Sequence, residues 1–175
     1  MILRASKSSQ GLKIYLAQCS LNDLPQQLRD DVPTPEIVTK AGNGDIYDTS
    51  IWLGLAPTYT PVHRDPNPNL FVQLAGQKRV RLFRPHIGAS LFHYVQQQIG
   101  GNANAMMRGS EMMQGKEKDA LEKVVWDDGL GDGPSVDGWE AELGPGDGLF
   151  IPKGWWHSVR GIGGGMTGSV NWWFR

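Results

Sequence analysis

"TPVHRDPNPNLFVQLAGQKRVRLFRP", residues 60–85, carries two patterns that rarely share one segment. "LFVQLAG" and "KRVRLF" read as strands around a Gly76-Gln77 turn, which predicts a hairpin between residues 70–74 and 78–84. "HRDPNPN" instead sets a histidine, an arginine and an aspartate among prolines, beside a strand that ought to pack a core. "SIWLGLA" lies just upstream and predicts a further strand at 51–56, with another at about 59–65. The polar run therefore interrupts a sheet.

On a strand, residues two apart point the same way, about 6.5–7 Å apart at Cα. His63 and Asp65 then project side by side, and an imidazole with a carboxylate can take adjacent positions on a metal. Two histidines and one carboxylate with open positions opposite is the usual arrangement of non-haem Fe(II) oxygenases. The pair also fits a plain turn, with Asp65 capping the bend before Pro66 and His63 packing beside it. A third ligand has to come from elsewhere. His86 and His93 sit in a helical region, where a histidine is ordinarily structural or exposed. His157 follows "LGPGDGLFIPKGWW", a turn leading into a strand, and reads either as a hydrogen-bonded core residue or as the missing ligand.

Lys78 alternates in phase with Val80 and Leu82, on the apolar face of its strand. Burying an unpaired ammonium is very costly. Either an anionic partner such as a bound cosubstrate meets it, or it reaches water from beside the turn.

The rest of the chain bounds these readings. Its 175 residues suit one domain, 1–175, large enough to bury about two-thirds of its unfolded surface. A single cysteine, Cys19, excludes an internal disulfide and reads as a small buried apolar residue in a reducing compartment. The net charge of −1 gives no reason to expect nucleic acid as a partner, and no apolar run approaches the roughly 20 residues of a membrane span. With no apolar signal-peptide core in "MILRASKSSQ", the expected location is cytoplasmic or nuclear. Nothing in the sequence reads out an oligomeric state. The 23 glycines imply many tight turns and short strands.

"LKIYLAQ" predicts a first strand, and a short helix through "LPQQL" follows, with Asn22 or Asp23 as its cap. Residues 86–142 change character, predicting one or two helices and a glycine- and aspartate-rich loop. "QQQ" and "NANAMM" within it read as bland surface. Strands resume at "WEAEL" and run through "GLFIP", "WWHSVRG" and "TGSVNWWF". The pattern is mainly β, a barrel or sandwich with a helical insertion between two strand groups and a short N-terminal helix.

The run at 60–85, "LGPGDGLFIPKGWWHSV" and "SVNWWF" together resemble the JmjC family of Fe(II)/2-oxoglutarate oxygenases, with "IYLAQ" matching its opening strand. The likeness covers residues 14–85 and 140–174. It is nearest to the small JmjC hydroxylases, a group that includes the asparaginyl hydroxylase inhibiting hypoxia-inducible factor. The resemblance implies a double-stranded β-helix (jelly-roll or cupin) fold and Fe(II) held by His63, Asp65 and His157. It implies 2-oxoglutarate as cosubstrate, its distal carboxylate paired with Lys78 and hydrogen-bonded by Thr60 and Tyr15. Asn69 and Asn171 then stand beside the oxalyl end, and Trp173 forms a wall near the metal or simply packs the barrel.

The implied reaction is C–H hydroxylation with release of succinate and CO₂. Two other readings stay open: an inactive metal-binding cupin serving as a binding module, and N-demethylation at the same site. The family usually carries a longer N-terminal region, so a fragment or minimal form is expected here. The insertion matches no family motif. It holds four Lys/Arg and ten Asp/Glu against thirteen and eight in the remainder, net charges of −6 and +5. Either an acidic flap at the barrel mouth follows, including Glu111, Glu117, Asp119, Asp127 and Asp128, and with it a basic peptide or protein substrate, or these acids merely solvate a mobile loop.

Overall fold

In the computed structural model, residues 60–85 fall mostly in three strands: β4 (Thr58–Arg64), β5 (Asn69–Ala75) and β6 (Gln77–Phe83). The structure describes residues 2–8, 11–41, 43–101, 113–127 and 137–175, with side chains from Tyr15 onward. "NANAMM", Glu111, Asp128 and most of the glycine-rich loop lie outside the described residues.

The expected hairpin between β5 and β6 does not form. β6 joins the sheet of β4, while β5 lies in the other sheet. Gly76, with φ +65°, swings the chain across, and a Cβ there would strike the Met166 carbonyl. A glycine turn between two apolar runs marks a change of direction but does not say which strand becomes the partner.

The other strands are β1 (Ile2–Ser8), β2 (Gly11–Ser20), β3 (Ile46–Leu55), β7 (Trp139–Leu143), β8 (Gly148–Ile151), β9 (Trp156–Ile162) and β10 (Met166–Phe174). One sheet has the order β1-β2-β3-β10-β5-β8 and the other β4-β9-β6-β7. Counting from β3, the eight strands after the opening hairpin are arranged first-eighth-third-sixth in one sheet and second-seventh-fourth-fifth in the other. Two interleaved sheets of this order are a jelly roll, the double-stranded β-helix of the cupins. The β1–β2 hairpin extends one sheet edge, and β1 was not foreseen.

Three apolar layers follow from strand alternation. Phe71, Val80, Leu82, Leu143, Ile151 and Val159 pack between the sheets. Leu70, Val170, Trp172 and Phe174 face outward from the first sheet and are covered by Leu21 and Val38. Val38 belongs to an unanticipated helix, α2 (Glu36–Ala41), which follows α1 (Gln26–Asp30). The cap expected for this helix at Asn22 or Asp23 does not form: α1 starts after Pro25 with no side-chain cap, and Asn22 and Asp23 lie in a 3₁₀ turn whose first N–H, that of Asn22, is accepted by the Ser20 hydroxyl. Cys19 is buried, as expected.

The helical insertion contains α3 (Pro85–Ile99) and α4 (Gly115–Trp126). Pro85 opens α3 at a position where a missing N–H costs nothing, and Gly100 closes it with φ +67°. Leu91, Phe92, Val95, Leu121, Val125 and Trp126 cover Val62, Phe83 and Trp156 on the outer face of the second sheet. No helix of the described residues is long and apolar enough to cross a membrane.

The tightest seam is Gly88 of α3 against Trp156, where an added Cβ would overlap the indole's Cβ, Cγ and Cδ1. Gly88→Ala should destabilise the fold by about 1–3 kcal/mol through forced separation of helix and sheet, seen as a lower urea midpoint at unchanged m.

Candidate metal centre

β9 lies between β4 and β6, so His157 is paired with His63 on one side and Leu82 on the other. The β4–β9 register shifts between Thr60 and His63: Thr60 pairs with Val159, and His63 with His157. Two residues, Pro61 and Val62, thus face Ser158 alone. Simple alternation would set Thr60 and His63 on opposite faces. The bulge changes the phase, so both line the interior while Val62 turns out to the helices. Proline is well tolerated at such a position.

The bulge also supplies an orienting group. His63 Nδ1–H donates to the Pro61 carbonyl at 2.8 Å, which leaves Nε2 with its lone pair. Asp65 sits just past the end of β4. Its Oδ1 is 3.8 Å from His63 Nε2, and its Oδ2 is 3.6 Å from His157 Nε2. The two imidazole centroids are 4.2 Å apart. Ligand atoms of all three residues lie within 4.8 Å of one another, and all three side chains are buried. The expected triad is therefore brought together from β4, the bend after it, and β9.

The electrostatics favour the ligating protonation states. Burial pushes Asp65 upward, but His157 and His63 outweigh it, helped by Trp173 and Asn69, and hold the carboxyl below its usual range. Asn69 donates to Oδ2 at 2.7 Å. The Trp173 indole faces the same carboxylate without closing a hydrogen bond of normal geometry. Burial, reinforced by His63 and offset in part by Asp65 and the Trp155 backbone, lowers His157 to about 4, so its ring is neutral at neutral pH. A buried carboxylate with an unpartnered oxygen beside two imidazoles suits a divalent cation. Among the described residues no fourth His, Cys, Asp or Glu joins the group. Three protein ligands leave coordination positions open, whereas structural zinc is closed by four.

A pocket adjoins the triad. Tyr15, Thr60, Asn69, Lys78, Asn171 and Trp173 all line it. Trp52, Phe71 and Val159 complete its walls and were not anticipated. Trp52 pairs with Ser169 across β3 and β10, and strand parity alone would have placed it inward.

Lys78 is 1% exposed, so it does not reach water. Its cross-strand neighbours are Leu143 and Gly161, and no carboxylate pairs with it among the described residues. Nζ donates to Ser169 Oγ at 2.6 Å and lies 5.4 Å from the Phe71 ring centroid. Ser169 gave no signal in the sequence, because a serine in a strand is ordinary. Burial lowers Lys78 to about 7. Nearby, Tyr15 and Thr60 hydroxyls are 3.4 Å apart, and burial raises the phenol to about 12. Three donors therefore face one apolar-walled recess with no anion from the described residues in it.

The acidic flap is not what the described helices form. α3 and α4 lie on the outer face of the second sheet, and their acids serve the scaffold. Glu122 pairs with Arg160 and Lys118, and Glu117 accepts from Gln96. Glu140 and Glu142 of β7 pair with Arg79 and Arg81 of β6. Asp119 and Asp127 remain exposed on or beside α4. A negative segment inserted opposite a positive body can satisfy that body instead of a ligand.

The chain matches a family described as cupin-like domain over residues 1–175. It is 30% identical over 172 residues to lysine-specific demethylase JMJ30 of Arabidopsis thaliana, covering 98% of this chain and 36% of that protein. It is 29% identical over 162 residues to lysine-specific demethylase 8 of Danio rerio, covering 91% and 36%. It is 30% identical over 171 residues to Jumonji C domain-containing protein 5 of Drosophila melanogaster, covering 96% and 38%. The chain thus spans little more than a third of the length of these relatives.

Asp65→Ala should abolish stoichiometric binding of Mn(II) or Co(II) in a calorimetric titration, since only two imidazoles and no carboxylate remain. Full affinity in that variant would remove Asp65 from the site. Lys78 generates a separate expectation. Its folded pKa of about 7 lies below the value of 10.5 for a free lysine, so between these limits the unfolded chain binds more protons. The metal- and cosubstrate-free protein should therefore gain stability from this group as pH rises from about 7 to 10.5. Lys78→Met should be stabilising near pH 7, with an advantage that shrinks towards pH 10 in parallel thermal melts.

Proposed function

The chain belongs to the cupin-like JmjC family, and on that premise we propose that it is an Fe(II)- and 2-oxoglutarate-dependent oxygenase that hydroxylates a C–H bond of a protein side chain. The observation that carries this reading is the conjunction of a three-residue metal centre with a buried lysine that has no carboxylate partner, both on one pocket. His63, Asp65 and His157 would hold the iron. When bound, iron and 2-oxoglutarate would supply, with dioxygen as oxidant, oxidative decarboxylation to succinate and CO₂, one oxygen atom going to succinate and the other into the substrate C–H bond.

The chain's own residues bind, orient and exclude. Lys78 receives the distal carboxylate of the cosubstrate through a charge-assisted hydrogen bond, and that anion restores the proton which burial disfavours. Thr60 and Tyr15 donate to the same carboxylate. Asn69 and Asn171 border the oxalyl end. Trp52, Phe71 and Trp173 keep water from the recess, which strengthens each of these polar contacts.

We take the substrate to be a basic side chain, in keeping with the names of two relatives as lysine-specific demethylases. Those names also favour a second reading, removal of N-methyl groups, which needs only a different placement of the substrate carbon. The exposed Asp119, Asp127 and Asp137 support a cationic partner weakly, since Glu117, Glu122, Glu140 and Glu142 are already paired.

Incubating protein, Fe(II), 2-oxoglutarate and a panel of lysine- and arginine-containing peptides, methylated and unmethylated, separates the readings by mass. A gain of 16 supports hydroxylation and a loss of 14 demethylation. Lys78→Ala should raise the 2-oxoglutarate requirement at least tenfold, from loss of a charged hydrogen bond of about 1.5–3 kcal/mol, and leave Mn(II) affinity unchanged. Unaltered cosubstrate dependence in that variant would detach Lys78 from the anion, and no succinate formation with any substrate would leave a binding module.

A further inference from the structure

The two oxygens of Asp65 are in different situations. Oδ2 accepts from Asn69 Nδ2 at 2.7 Å, while Oδ1 is buried without a hydrogen-bond partner. Asn69 is itself 1% exposed, and its Oδ1 accepts from Asn171 Nδ2 at 2.8 Å. Chemistry forces the direction of this chain. An ionised carboxylate only accepts, so Asn69 must turn its NH₂ towards Asp65. Its carbonyl oxygen then faces Asn171, which must present an NH₂ in turn.

The two asparagines are diagonal neighbours on adjacent strands. Asn69 of β5 pairs with Trp173, and Asn171 of β10 pairs with Phe71. Both backbones are fixed by the sheet ladder. Asp65 is not, because it lies in the irregular stretch between β4 and β5. Its carboxylate takes its orientation from side-chain contacts.

We propose that Asn171 and Asn69 are positioning residues: a two-amide relay that engages Oδ2 of Asp65 and so presents Oδ1 as the metal-ligating oxygen. This rests on the metal-centre reading above. It assigns the asparagines a task distinct from bordering the cosubstrate, because the relay acts on the metal ligand before any cosubstrate is present. Asn171 touches neither Asp65 nor the metal in this scheme and acts only through Asn69.

The test is Co(II) titration without 2-oxoglutarate, by calorimetry and visible absorption, on wild type, Asn69→Leu, Asn171→Leu and the double variant. Outer-shell partners of metal ligands typically govern affinity by about 10–100-fold. Asn69→Leu should weaken Co(II) binding at least tenfold and shift the cobalt absorption bands. Asn171→Leu should weaken it by a smaller factor, roughly threefold or more, through an Asn69 amide free to rotate. The double variant should match Asn69→Leu alone, because both changes interrupt one chain. Additive losses would overturn the relay, as would unchanged Co(II) affinity in both single variants with only 2-oxoglutarate binding reduced.

If a leucine variant fails to fold, Asn171→Asp keeps size and polarity but offers only acceptors to Asn69. Asn69 would then reverse and aim its carbonyl at Asp65. Co(II) affinity should drop as in Asn69→Leu, and undiminished affinity would refute the proposal. Wild-type protein that binds no Co(II) would instead remove the metal-centre reading, and the relay with it.

Discussion

The extra residue in β4 sets the phase of everything at the metal end. Without the Pro61–Val62 bulge, Thr60 and His63 could not share the interior, since strand alternation would turn one of them out. With it, Thr60 stays beside the lysine recess, His63 meets His157, and Val62 reaches the helices. The Pro61 carbonyl, released from ordinary pairing, fixes the His63 tautomer. One irregularity thus serves ligand direction, ligand protonation and outer packing together.

The interior of the jelly roll divides into two halves with opposite demands. Phe71, Val80, Leu82, Ile151 and Val159 form an apolar plug between the sheets. Lys78, Ser169, Asn69, Asn171 and the triad are equally buried but polar. A core of that kind is stable only when its groups are paired, and here several are half-paired. Lys78 has a serine in place of an anion, and Asp65 keeps one bare oxygen. Their remaining valences point to small charged species of opposite sign, a cation for one and a carboxylate for the other.

The buried polar positions and the fold class were more legible in the sequence than the pairing of strands. His63, Asp65, His157 and Lys78 are conspicuous because charged or titratable residues on apolar faces are costly, and all four are buried. Strand positions also follow from alternation. Partner choice does not: β5 and β6 look like a hairpin yet belong to different sheets, because a glycine turn of positive φ serves both geometries. The bulge was invisible, since only the register with β9 defines it. Trp52 and Ser169 were missed because tryptophan and serine are ordinary strand residues. The acidic insertion misled because net charge does not reveal that Glu122 and Glu140 already face arginines.

His63 and His157 come from strands that neighbour each other in space but lie 94 positions apart in the chain. Such separations slow folding, because loop-closure entropy is lost before the long-range contacts compensate it. They also give the metal a sharply conditional affinity. An unfolded chain can offer only the local His63–Asp65 pair, while the native pairing of β4 with β9 adds the third ligand. A cation bound there is therefore a reversible cross-link between distant parts of the chain, and it stabilises the native state by mass action.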